Sequence, residues 1–241
     1  GGTGSSQGAG ATITVSDAAE LGAGITISTG ATAGNIVFSN TLNNNQTLAL
    51  TAGTGDISFG GVVGGGTPLG AVTINSAAGV TATSFSAASL TQSAGTGTTA
   101  LNGVVTLTGA LDLTTATIDI NENVTTAGGL VDLNATTLVD LASTKSITTT
   151  AAADSGTTSG KIDIDVSGTG TVNLAGNLVS TGANHASGAG STAGIVTIDT
   201  VGGTIAVKDI TSSGGNSTGV AGGAAAAITL NTGGQTITLN G

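Results

Sequence analysis

The chain has no cysteine, methionine, tryptophan, tyrosine or arginine, and only one proline and one histidine. Without cysteine there are no disulfides, thiolate metal sites or cysteine nucleophiles. Three lysines face thirteen acidic residues, a net charge of −10. That leaves no cluster of cations to grip a nucleic-acid backbone or an anionic membrane surface. No run of about 18 apolar residues is present to span a bilayer, so membrane insertion is not expected. Aromatic residues make up 1% of the chain, so a large globular core is hard to fill. The apolar volume has to come from Val, Ile, Leu and Ala in a thin, regular interior.

What is present points to strands. Hydrophobic residues reach 38% and charged residues only 7%, which is not the composition of a charged disordered chain. Apolar and polar residues alternate in "TITVS" (12–16), "VTIN" (72–75), "ATIDI" (116–120), "KIDIDVSG" (161–168) and "TIAVKDI" (204–210). Period two and an abundance of β-branched residues mark β-strands. The runs are short and separated by Gly, Ser, Asn or Thr, and no segment keeps a 3.6-residue period over three turns. The fold class is therefore all-β.

Repeats select the architecture. "IVTIDTVGGTI" (195–205) returns as "AITLNTGGQTI" (227–237), with Val196 matched by Ile228, 32 residues on. Ile162 and Ile164 recur as Val196 and Ile198 at an offset of 34, and Ile36 and Phe38 as Ile57 and Phe59 at an offset of 21. A coil that cannot bury its own apolar edge has to be covered by the next, so such repeats predict a parallel β-helix, or β-solenoid. About 9–11 irregular coils are expected, each rising about 4.8 Å, in a rod about 45–55 Å long. Chain chirality favours a right-handed winding. Like should stack on like: Val196 under Ile228, Ile198 under Leu230, and Phe38, Phe59 and Phe85 in an aromatic stack of at least the first two. The chain reads as one domain, with coils of shorter period over 1–110 and coils of about 31–34 residues over 111–241. Loops 180–194 and 211–226 fall at matching places and should project from one corner, with little packing of their own.

The segments "GNIVFSNTLNNNQTLALTAGTGDISFGGVVGGGTPLGAVTINSAAG" (34–79) and "GIVTIDTVGGTIAVKDITSSGGN" (194–216) resemble the repeats of large bacterial exoproteins of the filamentous haemagglutinin and autotransporter adhesin type. The resemblance spans nearly the whole chain and lies in repeat style. It implies a right-handed parallel β-helix, exported and displayed at a cell surface. A host cell, a polysaccharide or a neighbouring cell would be the surface it meets. The family's N-terminal secretion segment has no counterpart here, which fits an internal piece of a longer protein.

Few residues offer chemistry. A serine hydrolase needs Ser, His and an acid, and the single His185 sits in a Gly/Ala/Ser loop where simple solvation is expected. Zinc sites need several His or Cys ligands. Polysaccharide-active β-helices need paired carboxylates or basic groups with aromatic platforms for sugars, and the platforms are missing. An enzyme is not expected, and no organic cofactor. Asp132, Asp163, Asp165 and Asp199 stand beside inward-facing apolar residues about one period apart, so they should stack on the outside about 5 Å apart. The plain reading is a solvated acidic face that resists side-by-side aggregation; the sharper one is Ca2+ bridging between coils. The tandem calcium-binding nonapeptide is absent. Outward Thr in "TIT" (12–14), "VTLT" (105–108) and "TITL" (236–239) raises an ice-binding surface as an alternative. Asn-x-Ser/Thr triplets at Asn45, Asn123, Asn134 and Asn216 are expected by chance in a chain this rich in Asn and Thr.

Neither "GGTGSSQG" nor "QTITLNG" has the look of a polar cap, so the solenoid should continue in flanking sequence or meet another copy end to end. The expected role is mechanical: an extracellular surface stalk, adhesin shaft or filament subunit.

Overall fold

The computed structural model describes residues 10–241. Among them there is no helix, and every strand pairs in parallel with the equivalent strand of the next coil. The chain is a parallel β-solenoid with three faces. On the first face the inward column runs Ile13, Ile36, Ile57, Val80, Thr99, Ile118, Val139, Val172, Ile205, Ile237, which is ten coils. The second face stacks Leu42, Val63, Phe85, Val105, Val124, Ile147, Leu178 and Ile210. The third stacks Ile25, Leu48, Val72, Leu90, Leu111, Val131, Ile162, Val196 and Ile228.

Alternation along each strand explains these columns. In Ile162–Val166 the residues Ile162, Ile164 and Val166 are buried, while Asp163 and Asp165 between them are half-exposed. The three inward rows meet in one continuous core of Val, Ile, Leu and Ala with the three Phe residues. Ile198 lies in register with Leu230, and Val196 with Ile228. Phe38 and Phe59 occupy adjacent places in a second inward column of the first face, two residues along each strand, their rings 5.3 Å apart and 4° from parallel. Phe85 is not in that column. Its spacing of 26 residues from Phe59 overshoots the coil step and puts it on the second face, beside Val63 and Val105. It reaches Phe59 edge-on, with centroids 5.5 Å apart and planes at 79°. The column above Phe59 narrows to Ala82, leaving room for that ring.

The change of period comes later than residue 110. Ile118 pairs with Val139 and Val124 with Ile147, steps of 21 and 23. The first long steps are Val131 to Ile162 and Val139 to Val172. The extra residues enter as a loop at 149–161, followed by the loops at 180–194 and 211–226. All three leave the corner between the second and third faces.

A clasp at the base of each loop keeps the faces in register. Thr126 Oγ1 donates to Gly129 O at 2.6 Å across a three-residue turn. Thr149 Oγ1 donates to Gly160 O at 2.7 Å across eleven residues. Ser180 Oγ accepts from Gly194 N, and Ser212 Oγ from Ala226 N, each across fourteen residues. Glycine is required where these clasps stack: a Cβ on Gly160 would lie 2.0 Å from Gly129 O, and one on Gly194 2.0 Å from Gly160 O.

The loops also pack more than their composition suggests. They lie on one another as layers, through Asp154 N to Asn184 O, His185 N to Asn216 O, Gly190 N to Ala221 O and Ala193 N to Ala224 O. Ala183 and Ala193 are buried between layers. Small side chains let backbones approach closely enough to bond, so the loops form a flange along one edge of the rod.

Candidate functional site

The outward row of the third face is acidic. Asp112, Asp132 and Asp163 stand in register, and beside them run Asn134, Asp165, Asp199 and Asn231. Parallel pairing of equivalent positions stacks identical side chains by construction, and like charges so placed repel. Carboxylate oxygens of Asp132, Asp163 and Asp165 all lie within 4.8 Å of one another. Asp199 sits one coil beyond, paired with Asp165, and is outside that group.

Neighbours relieve part of the repulsion. Lys161 Nζ sits 2.5 Å from Asp163 Oδ2, and Asn134 Nδ2 donates to Asp132 Oδ1 at 2.8 Å. Burial pushes the Asp165 carboxyl above its ordinary range; Asp163, Asp199 and Asp132 add to the shift, and Lys161 opposes it. Burial, then Asp132, raises Asp112 in the same way. A divalent cation among the three carboxylates would offset this repulsion with oxygen ligands, and it would compete with Lys161 for Asp163. Asp112 extends the row by one coil, its "LDL" setting matching the "VDL" of Asp132.

Two shallow grooves meet at Asp165 and Ser167 on the corner between the third and first faces. The larger, of about 440 Å3, runs past Asp199 and Asn231 to Val201. Its polar lining is carboxylate, amide and hydroxyl, with no aromatic ring to stack on a sugar.

His185 differs from its expected solvated state. Its side chain is only 12% exposed, because the flange layers close over it. Nε2 accepts from Gly156 N at 3.0 Å, and Nδ1 faces Asp154 Oδ1 at 3.5 Å. Ser191 Oγ lies 3.5 Å from the same Nε2. Serine, histidine and aspartate thus come together, although only His185 was conspicuous in the sequence. The shorter bond from Gly156 N occupies the lone pair that a general base would need, and Ser191 is itself buried between layers.

The last coil is unlike those beneath it. Ile228, Ile237 and Leu239 are 45%, 39% and 70% exposed, whereas their partners one coil below, Val196, Ile205 and Val207, are at most 1% exposed. These apolar side chains belong to a strand row with no partner above it in the described structure.

No protein-family model, curated protein or solved structure matches this chain.

Proposed function

We propose that the chain is a structural rod, a shaft or filament subunit built by stacking coils and displayed outside the cell. The observation that carries this is the stacking itself: the first-face column runs unbroken through ten coils in parallel register, around one continuous core. A second copy stacked end to end could add coils to such columns with the same register and the same parallel ladder. Head-to-tail contact of this type does not close on itself and generates fibres. The outer faces supply small hydroxyls, amides and carboxylates, which suit solvation and lateral contact better than catalysis. No catalytic role is assigned to His185, whose accepting nitrogen is already engaged.

Calcium among Asp132, Asp163 and Asp165 would stiffen the rod between two adjacent coils. In an export setting, where calcium is plentiful, this would couple rigidity to location. The resemblance to surface adhesins supports that setting.

Electron microscopy of the purified protein tests the main reading. Fibres, or rods that lengthen with concentration, are expected if the coils of separate copies stack end to end. Discrete rods of one length would confine the reading to a shaft. Compact particles would end it.

One observation favours a second reading, an ice-binding face. Thr106, Thr125 and Thr148 stand in register on the outside of the second face. The parallel row two residues earlier is Val104, Asn123 and Ser146, so the threonine array is one row wide. Thermal hysteresis and faceted ice crystals are the outcome this reading requires.

A further inference from the structure

We infer that His185 is a proton-operated latch holding the tip of loop 149–161 to the rest of the flange. The tip is held in an unfavourable backbone conformation. Asp154 has a φ of 56° within a turn closed by Ser155 N to Ala152 O at 3.2 Å, and Gly156 follows at 69°, where glycine carries no steric cost. Left-handed conformation at a residue with a side chain costs energy unless its surroundings compensate.

The compensation comes from the loop above. Asp154 N donates to Asn184 O at 3.0 Å, Asp154 Oδ1 accepts from Ala186 N at 2.8 Å, and Gly156 N donates to His185 Nε2 at 3.0 Å. His185 is held in turn by the third layer through its N–H to Asn216 O at 2.9 Å.

The Gly156 bond defines the tautomer. A backbone N–H can only donate, so Nε2 carries a lone pair, and the ring proton of the neutral form sits on Nδ1, toward Asp154. Adding a proton from solvent at Nε2 gives the imidazolium, with donors at both nitrogens. Nε2–H then opposes Gly156 N–H, and that bond is lost. Ser191 Oγ, 3.5 Å away, is the acceptor left for it. Nδ1–H keeps Asp154 as its partner, now as an ion pair, at a carboxylate that is 58% exposed and so well screened. Charged groups elsewhere do not interfere. The loops at 180–194 and 211–226 carry no other ionisable side chain, and loop 149–161 adds only Lys161, which is engaged with Asp163. Protonation therefore exchanges a link between two loops for one within loop 180–194.

Amide hydrogen exchange tests this, read on a peptide covering 152–158 and corrected for intrinsic rates, at about pH 8 and about pH 5. Loss of one hydrogen bond should lower protection of that peptide about fivefold at the acidic end, with the strand 162–166 unchanged. In His185→Gln the peptide should exchange equally at both pH values. Protection that does not vary with pH in the native protein overturns the latch, as does the same pH response in the variant. Should the variant not fold, 15N spectra of the native ring at about pH 8 still decide: Nδ1–H is required, and an Nε2–H tautomer overturns the assignment.

Discussion

Two regions of one solenoid solve the same stacking problem with different amounts of chain. Up to residue 148 the coil step is 18–24 residues, as from Leu90 to Leu111 and from Ile36 to Ile57, with tight corners. Beyond it the step is 31–34, as from Val131 to Ile162 and from Ile162 to Val196, yet the inward columns continue without a break. The added residues all leave through one corner, and each insertion is closed by a hydroxyl and a small residue in the same place: Thr149 with Gly160, Ser180 with Gly194 and Ser212 with Ala226, just as Thr126 and Gly129 close the tight corner before them. The comparison teaches that the clasp defines a coil and the loop length does not. Closing a longer flexible loop costs only about 0.6 kcal/mol per doubling of length.

The largest effect should come from the one place where the compact region has an asset the flanged region lacks. Replacing Phe59 by Ala removes a ring that touches both Phe38 and Phe85 and should destabilise the fold by about 3–5 kcal/mol. Hydrogen exchange should report the loss in the coils around residues 36–107. If protection falls equally at 162–207, the two regions unfold as one unit and the distinction between them is only geometric.

Gly160→Ala probes the first clasp that carries a real loop. Its Cβ would collide with Gly129 O, so a cost of about 1–3 kcal/mol is expected in chemical denaturation. The same change at Gly156, which has open space around it but a φ of 69°, separates strain from collision. A variant at Gly160 as stable as the native protein would mean the clasp is not the point of register.

The acidic row crosses both regions and responds to pH with a defined sign. Asp112 and Asp165 are harder to ionise folded than unfolded, so the folded state holds their protons longer. Their repulsion is fully present near neutral pH. It is relieved as pH falls through the raised folded values toward the ordinary carboxylate value of 3.8. Glu122, held below its ordinary range by Lys145, acts the other way: its stabilisation is present above that range and fades as pH falls through the lowered folded value. Asp165→Asn should raise the melting temperature at pH 7 modestly, by the equivalent of a few tenths to about 1 kcal/mol. If calcium occupies Asp132, Asp163 and Asp165, adding it should raise the native melting temperature and leave the variant unchanged. No calcium effect on the native protein removes the bridging proposal.

The smallest effect is expected from removing a loop. Cutting residues 150–159 down to a two-residue turn between Thr149 and Gly160 should leave the far-ultraviolet spectrum intact and change stability by about 1 kcal/mol or less. A collapse of the coils above it would show that the stacked flange, through Asp154 and Asn184, carries register as well.

Much of this was legible without coordinates. The offsets between "KIDIDVSG", "IVTIDTVGGTI" and "AITLNTGGQTI" are the registers of the third face, and the Phe38–Phe59 spacing is one coil step. Asp165 facing Asp199 follows from the same offsets. Phe85 joins Phe59 from another face, which a fixed spacing does not reveal once corners vary in length. The onset of the long period was placed too early because strands such as Val131–Leu141 run around a corner and hide where one face ends. His185 looked solvated because its loop is rich in Gly and Ala, and nothing local records that another loop lies on top of it.

Sequence alone determined the period-two strands, the need for each coil to be covered by the next, and the identity of the stacked residues. These depend only on side-chain alternation and on offsets along one chain. Tertiary structure alone decided where the insertions leave the rod, that their backbones bond in layers, and that a histidine, an aspartate and a serine 37 residues apart at most converge there. Those outcomes depend on how closely neighbouring coils approach, and glycine-rich loops acquire a structure only when a second layer offers them hydrogen-bond partners.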